Sequence, residues 1–447
     1  MAEIETFGCK LNHYDSLLLQ KSLEPVSSKK KIRLLNSCAV TAQAGREIRK
    51  RAEKIRAFDP ESLIVVVGCG AQVETELYEK NSAVDLVIGN ADRKNLKPIV
   101  ENFLSRSSKP RRPKSHQLKQ NTNQELALQS GRATDLSFQK KSFVSNIFKT
   151  TEIYSDFILP HPDRTRAFLK IQDGCDSFCT FCIIPFARGK SKSLPADFLI
   201  DSLHKLEEAG VKEVVLTGVH IGDYRDGNKN LEGLIELLLK KTSIPRLRLT
   251  SLEPIEITER LLDCYEDESM CTHFHISMQS ANSQVLHSMK RNYSQKDVER
   301  AFERIALRQP QAFVGMDLIA GFPTESLKDF EDAYEVLKNH SWTNIHVFPY
   351  SSRKGTYSAF KYKNLDQKEV KRRAELIRGL STSRFQEKLK EQEGSIKKTL
   401  LFKKDNTKSL SRDYWRVKVP RSSFQGEKQV RITGVCPNKT ELLGSWI

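Results

Sequence analysis

No stretch of the 447-residue chain approaches the roughly 18 unbroken apolar residues that a membrane-crossing helix needs. Its first residues, Met1-Ala2-Glu3-Ile4-Glu5, are acidic and lack the charged-then-apolar order of a secretory leader. No internal repeat stands out. These absences make a cytoplasmic protein without a membrane partner the expectation. In such a reducing compartment, nine cysteines read better as metal ligands or catalysts than as disulfides. An acidic excess is missing too: 73 Lys and Arg stand against 56 Asp and Glu, a net charge of +17. That balance favours a polyanionic partner such as nucleic acid. Hydrophobic and charged fractions of 38% and 29% exclude a fibrous or wholly disordered chain. The length allows about three domains.

What is present is an alternation of branched apolar runs with helical stretches. Residues 4–7, 32–35 and 63–67 read as strands, and residues 42–57 as a helix rich in Arg, Lys and Glu. Buried strands alternating with helices imply a parallel sheet, whose strand ends gather on one edge. Cys9, Cys38 and Cys69 each follow one of these strands, so thiols distant in sequence can converge there. From about 104 to 160 the pattern dissolves, and residues 102–119 carry six Lys or Arg and no acid. This reads as a solvated linker.

Regular structure resumes with six strand-like runs near 167–172, 213–217, 246–250, 273–278, 312–319 and 344–349. Helices are expected over 196–209, 231–241, 257–265, 295–306 and 326–339. Six βα units rather than eight indicate an incomplete barrel open on one side, through which a large substrate can enter. A basic helix over 367–392 and short strands to the end complete the chain. Residues 353–447 hold 24 Lys or Arg and 10 Asp or Glu, so most of the excess charge lies there. The expected fold is α/β: an N-terminal parallel-sheet domain (1–104), a basic and polar linker (105–160), a partial (β/α)6 barrel (161–370) and a small basic β region (371–447).

The most specific feature is Gly174-Cys175-Asp176-Ser177-Phe178-Cys179-Thr180-Phe181-Cys182, a C-x3-C-x2-C loop after the first barrel strand. Three thiolates on one short loop call for a metal. Zinc wants a regularly spaced fourth ligand, and no nearby His or Cys supplies one. A [4Fe–4S] cube can be held by thiolates, with three of them leaving one iron open to a small molecule. A zinc knuckle and a C-x-x-C redox pair are the alternatives. Cys264, Cys271 and Cys436 show no such pattern and read as structural. His220 and His275, each without spaced partners, do not read as metal ligands.

This loop resembles the signature of the radical S-adenosylmethionine (SAM) superfamily. The wider sequence from Phe168 through Arg188-Gly189 resembles its methylthiotransferase branch. The resemblance implies that Cys175, Cys179 and Cys182 hold a [4Fe–4S] cluster. Its open iron would bind SAM, and one electron from an unidentified donor would cleave SAM to methionine and a 5′-deoxyadenosyl radical. Phe181 would lie near the adenine, its alternative being a packed core aromatic. Thr6-Phe7-Gly8-Cys9-Lys10-Leu11-Asn12, Asn36-Ser37-Cys38-Ala39-Val40-Thr41 and Val67-Gly68-Cys69-Gly70-Ala71-Gln72 are similar to the family's N-terminal domain. There Cys9, Cys38 and Cys69 would hold a second [4Fe–4S] cluster that carries the sulfur. Two SAM molecules per turnover are implied, one for the methyl group and one for the radical. A radical route needs no general base, since an unactivated C–H bond offers no proton to one, and the cofactors carry the hard step.

Polar and Gly-rich strand ends supply the remaining candidates for cofactor contact: Thr217, Gly218, Ser251, Gln279 and Gly321. Among the family's branches, Gly8-Cys9-Lys10-Leu11-Asn12, Thr217-Gly218-Val219-His220, Arg248 to Pro254 and His346-Val347-Phe348-Pro349-Tyr350-Ser351 look most like the one acting on threonylcarbamoyladenosine at position 37 of tRNA. Branches acting on isopentenyladenosine in tRNA or on a ribosomal-protein aspartate are the alternatives within the family. A non-catalytic iron–sulfur RNA-binding protein is the alternative from another class. The basic C-terminus agrees with an RNA partner at the anticodon loop, and the resemblance implies a small TRAM-like β-barrel there.

Overall fold

The computed structural model describes residues 2–24, 26, 30–107, 141–160, 164–424 and 426–447. Five parallel strands lie side by side in chain order: β1 (Ala2–Thr6), β2 (Ile32–Ser37), β3 (Leu63–Gly68), β4 (Leu86–Gly89) and β5 (Ser142–Phe143). The run Leu63-Ile64-Val65-Val66-Val67 is buried on both faces, as a central parallel strand must be. Val65 and Val67 pack with Leu19 and Leu23 of the helix Lys10–Leu23, and Ile64 and Val66 face Ile48, Ala52 and Ile55 of the helix Ala42–Phe58. The latter helix is capped by Thr41, whose hydroxyl accepts from the Ala44 N–H.

The basic run of the expected linker lies mostly outside the described residues. The end of that linker is structured, because β5 completes the sheet edge and Tyr14 donates to the Asp156 carbonyl at 2.7 Å. Backbone pairing and a buried phenol hold residues 141–160 to the first unit.

The second unit is the open barrel. Its strands β6 (Ala167–Lys170), β9 (Val214–Thr217) and β10 (Leu247–Arg248) form one parallel group, and β11 (His273–Gln279), β12 (Phe313–Ala320) and β13 (Asn344–Pro349) form another. Single bridges Leu247–Met270 and Leu252–Ile276 join the two groups into one six-stranded arc. A short antiparallel pair, β7 (Gln172–Asp173) with β8 (Lys192–Ser193), closes the base of the three-cysteine loop. Helices Ala196–Glu208, Leu231–Lys241, Glu259–Cys264, Gln295–Arg308 and Leu327–Asn339 cover the outer face. Along β11 the residues Phe274, Ile276 and Met278 enter this core, while His275, Ser277 and Gln279 face inward and stay partly accessible.

The basic helix Gln367–Lys390 packs along β13, so it belongs with the barrel. Beyond it, β14 (Ile396–Leu401), β15 (Lys408–Ser411), β16 (Arg416–Lys418), β17 (Glu427–Val435) and β18 (Leu442–Trp446) close into a five-stranded barrel in the order β14-β15-β16-β18-β17. Leu401, Trp415, Val417, Val430, Ile432 and Leu442 fill it, and Phe313 and Leu389 tie that core to the larger barrel. Among the described residues, no helix is long and apolar enough to cross a membrane.

Candidate functional site

Parallel pairing brings the carboxyl ends of β1, β2 and β3 to one edge, and Cys9, Cys38 and Cys69 leave those ends. The approach is close. Gly8 sits at φ +100°, and a Cβ there would come within 2.8 Å of the Cys38 Cβ and Sγ. Asn12 fastens the loops together, donating to the carbonyls of Phe7 (2.8 Å) and Ser37 (3.2 Å). The three thiols are near enough to influence one another electrostatically. Burial pushes the Cys38 thiol up to about 11. Cys9 is reached by solvent, but the protein around it raises its thiol too, with Arg188 opposing that rise.

Arg188 connects this edge to the second thiol group. It follows the three-cysteine loop by six residues and ends the short helix Ile184–Arg188. Its guanidinium reaches back to Asn12 Oδ1 (2.7 Å), Asp15 (2.9 Å) and Asp173 (2.8 Å). Arg93 bridges the same two carboxylates at 2.9 Å each, and Lys170 contacts both. Three cations thus share two buried acids. Burial alone would raise Asp15 and Asp173, but these cations outweigh it and hold both below the usual carboxylate range. The surplus positive charge of Arg188 lies beside Cys9 and Cys69. Asn90 closes the seam, donating to Cys69 Sγ (3.4 Å) and to the Ala187 carbonyl (2.8 Å).

Cys175, Cys179 and Cys182 sit on a turn beyond β7. Gly174, at φ +76°, lets that turn cross the Gly189–Lys190 backbone, which any Cβ would strike. Burial pushes Cys182 up to about 12, aided by its neighbouring thiols. Cys179 is raised by burial and opposed by Arg291, whose Nη1 donates to its Sγ at 2.8 Å. Arg291 also pairs with the buried Glu253 and donates to the Tyr293 phenol at 3.0 Å. Three soft sulfur donors backed by a fixed guanidinium fit thiolate-held iron, since they share one turn and have a cation to offset their charge.

The remaining sequence candidates ring the carboxyl ends of the barrel strands. Thr217 ends β9, and Gly218 lies against Gln172, whose Oε1 accepts from the N–H groups of Val219 and His220. Ser251 and Gln279 both adopt left-handed backbone, φ +51° and +65°, a strain concentrated at sites where backbone direction matters. Gly321 sits at φ +73°, and a Cβ there would press on Val370. Phe181 packs edge-on against Phe322, ring centroids 6.3 Å apart.

Several partners escape a linear reading. Arg291 lies 109 positions from Cys182 and reaches the Cys179 sulfur only when β11 and the helix Ser283–Ser288 fold over the loop. His220 lies within 4.8 Å of Cys175 and Asp223, with Nε2 2.6 Å from Glu256 Oε1. Burial lowers the imidazole's pKa, but its hydrogen bonds to Asp223, Cys175 and Glu256 outweigh that and raise it. A second group, His275, Asp317 and His346, gathers on the barrel's inner face. The adjacent acids of the Asp15–Asp173 network had no local signature, being single polar residues in a helix and a two-residue strand.

Residues 169–337 match the Radical SAM superfamily, and residues 1–89 match the family described as Uncharacterized protein family UPF0004. The chain is 31% identical over 423 residues to threonylcarbamoyladenosine tRNA methylthiotransferase MtaB of Aquifex aeolicus, spanning 93% of this chain and 95% of that protein. The protein of the same name in Rickettsia prowazekii is 32% identical, over 84% of this chain and 82% of its own. tRNA-2-methylthio-N(6)-dimethylallyladenosine synthase of Thermodesulfovibrio yellowstonii is 31% identical, over 90% and 88%. In fold, the chain is similar to the radical S-adenosylmethionine methyltransferase TsrM of Kitasatospora setae, with a TM-score of 0.51 at 14% identity over 78% of this chain and 67% of that one. With such identity along nearly the whole length, and the three-cysteine loop inside the matched region, this chain is an enzyme of the radical SAM methylthiotransferase family.

Proposed function

We propose that this enzyme methylthiolates C2 of N6-threonylcarbamoyladenosine at position 37 of tRNA, in the cytoplasm, using two [4Fe–4S] clusters and two SAM molecules per turnover. The observation that carries the reading is the junction of the two thiol groups: Asn90 touches Cys69 and Ala187, while Arg188 spans from the three-cysteine loop to Asn12. Cys175, Cys179 and Cys182 would hold one cluster, and Cys9, Cys38 and Cys69 the other. When bound, the first supplies the electron that cleaves SAM and the second carries the sulfur to be transferred.

The chain's own groups set the stage for that chemistry. Arg291 and Arg188 place positive charge beside each thiol set, which partly offsets the rise that burial imposes on Cys9 and Cys179 and would balance the charge of thiolates bound to iron. Thr217, Gly218, Ser251, Gln279 and Gly321 surround the barrel mouth and would orient SAM, with Phe181 against its adenine. The open side of the arc admits the nucleoside, and the basic C-terminal barrel would hold the anticodon loop by its phosphates.

The names of the first relatives support threonylcarbamoyladenosine as the substrate. The similarity to a dimethylallyladenosine synthase, at equal identity, keeps the isopentenyl-type substrate as the second reading. Nucleoside mass spectrometry separates them. In tRNA from cells lacking the activity, expressing this chain is expected to create a methylthio derivative of threonylcarbamoyladenosine. Its appearance on dimethylallyladenosine would move the reading to the second substrate. Absence of both, with SAM cleavage intact, would overturn the tRNA reading and direct the search to a ribosomal protein.

A further inference from the structure

The inner face of the barrel carries charge that the chemistry above does not use. Lys10 follows the cluster cysteine Cys9 directly, so the loop that fixes the thiol also fixes the ammonium within one side chain's length of it. It opens the helix Lys10–Leu23, where the helix dipole disfavours a cation and no acid stands in the first turn. Its electrostatic neighbours come from across the barrel: Tyr414, Arg166, Arg248 and Asp317, with His346 also in range. Two of those are further cations. The nearby acids are engaged, since Glu213 is shared by Arg166, Arg246 and Arg248, and Asp317 lies 3.0 Å from His275. Among the described residues, no carboxylate forms an ion pair with Lys10.

His346 stands opposite Asp317 in the β12–β13 register, is exposed, and stacks on His275 with ring centroids 5.7 Å apart. Lys10 lies within electrostatic reach of Asp317 and His346, so together with His275 these groups make a polar wall with a single acid, already hydrogen-bonded. Such a wall is costly to cover with hydrocarbon and well suited to an anion.

Resting on the threonylcarbamoyladenosine reading, we propose that Lys10, assisted by His346, receives the carboxylate of the substrate's amino-acid arm and so selects this nucleoside over one with an alkyl arm. The geometry of the base agrees. C2 and the N6 substituent flank N1 on opposite sides, so turning C2 toward the thiol edge sends the N6 arm along the adjoining wall. A half-buried cation with no carboxylate paired to it rejects a dimethylallyl arm, because the arm would desolvate the ammonium and supply no counter-charge.

The test is binding of anticodon stem-loop RNAs to the iron-loaded full chain, by fluorescence anisotropy without reductant so that no turnover occurs. The probes carry threonylcarbamoyladenosine, dimethylallyladenosine or plain adenosine at position 37. The wild type is expected to prefer the first. Lys10→Met is expected to reduce that preference about tenfold, and Lys10→Arg to retain most of it, as for a charge-assisted hydrogen bond. His346→Ala, on the exposed face and remote in sequence from the cysteines, is expected to reduce the preference severalfold even if Lys10→Met disturbs iron loading. A preference that survives both Lys10→Met and His346→Ala would overturn the Lys10 assignment and leave the substrate reading standing. A wild type without preference for the threonylcarbamoyl probe would overturn both.

Discussion

At the scale of single residues, the two cysteine groups differ in what surrounds them, and that difference predicts separable losses. Cys179 is buried and bonded to Arg291, and removing its sulfur takes away one of the three donors on the loop proposed to cleave SAM. Cys38 belongs to the other edge, at the end of β2. Cys179→Ala is expected to abolish SAM cleavage, whereas Cys38→Ala should leave it in place and eliminate methylthiolation. Quantifying 5′-deoxyadenosine and the methylthio nucleoside in the same reaction checks this, and equal loss of cleavage in both variants would undo the division of labour. Arg291→Gln is expected to be worse than an ordinary surface change. It takes from the buried Glu253 its closest cation, leaving only His220, among the described residues, at 3.4 Å, and should lower both the melting temperature and the iron content. The gathering of the six cysteines into two groups was legible because spacing and strand-end position are local properties. Arg291 and His220 were not, because a lone Arg after a helix or a lone His in a turn has many ordinary uses, and only the folded chain shows which sulfur each faces.

At the scale of elements, the strands that could be read in advance are those whose apolar runs are long. β3, β11, β12 and β13 appear where the branched residues place them. β10, only two residues of regular ladder, owes its place to the bridges at Leu247 and Leu252 as much as to its own sequence, and β5 pairs through two residues inside a polar stretch. The contact between the sheet and the barrel was invisible for a different reason. It is built from charge rather than pattern, with Asp15 on the first helix and Asp173 beside the cysteine loop shared by Arg93, Lys170 and Arg188. Asp15→Asn would leave three buried cations facing one acid, and the expected destabilisation is about 3–5 kcal/mol in thermal unfolding. The same geometry sets an acid limit. Both carboxyls titrate lower in the folded chain than in the unfolded one, so unfolding takes up protons as pH drops. Their contribution is complete above the ordinary carboxylate range and is lost as pH falls through their depressed folded values. Acid unfolding followed by circular dichroism should therefore shift to higher pH in Asp15→Asn. An unchanged acid midpoint would show that the network does not govern it.

At the scale of the whole molecule, the C-terminal barrel is fixed to the larger one by buried arginines, and this leaves its basic outer face free to act. Arg246 and Arg248, both fully buried, join Glu213 on the barrel to Glu427 and the carbonyls of Leu410, Ser411 and Arg412. Burial alone would raise Glu213, but these arginines hold it down at about 2, so the joint persists well into the acid range. A rigid joint fixes where the barrel's charge points. Arg416, Lys418 and Arg431 are exposed on β16 and β17, and Lys428 lies over the Trp446 ring at 5.4 Å, the mixture of cations and an aromatic that suits RNA. Phosphate contacts are indifferent to the base they flank, whereas the Lys10 wall discriminates the arm on one base. The two therefore predict opposite signatures. Changing Arg416, Lys418 and Arg431 together to Ala should weaken every stem-loop probe equally and reduce the slope of log affinity against log salt by about 2 for three lost phosphate contacts. Melting temperature should move little, since all three side chains are solvent-exposed. A salt slope left unchanged would place the RNA on another face of the molecule, and a loss confined to the threonylcarbamoyl probe would mean that this barrel, rather than Lys10, reads the nucleoside.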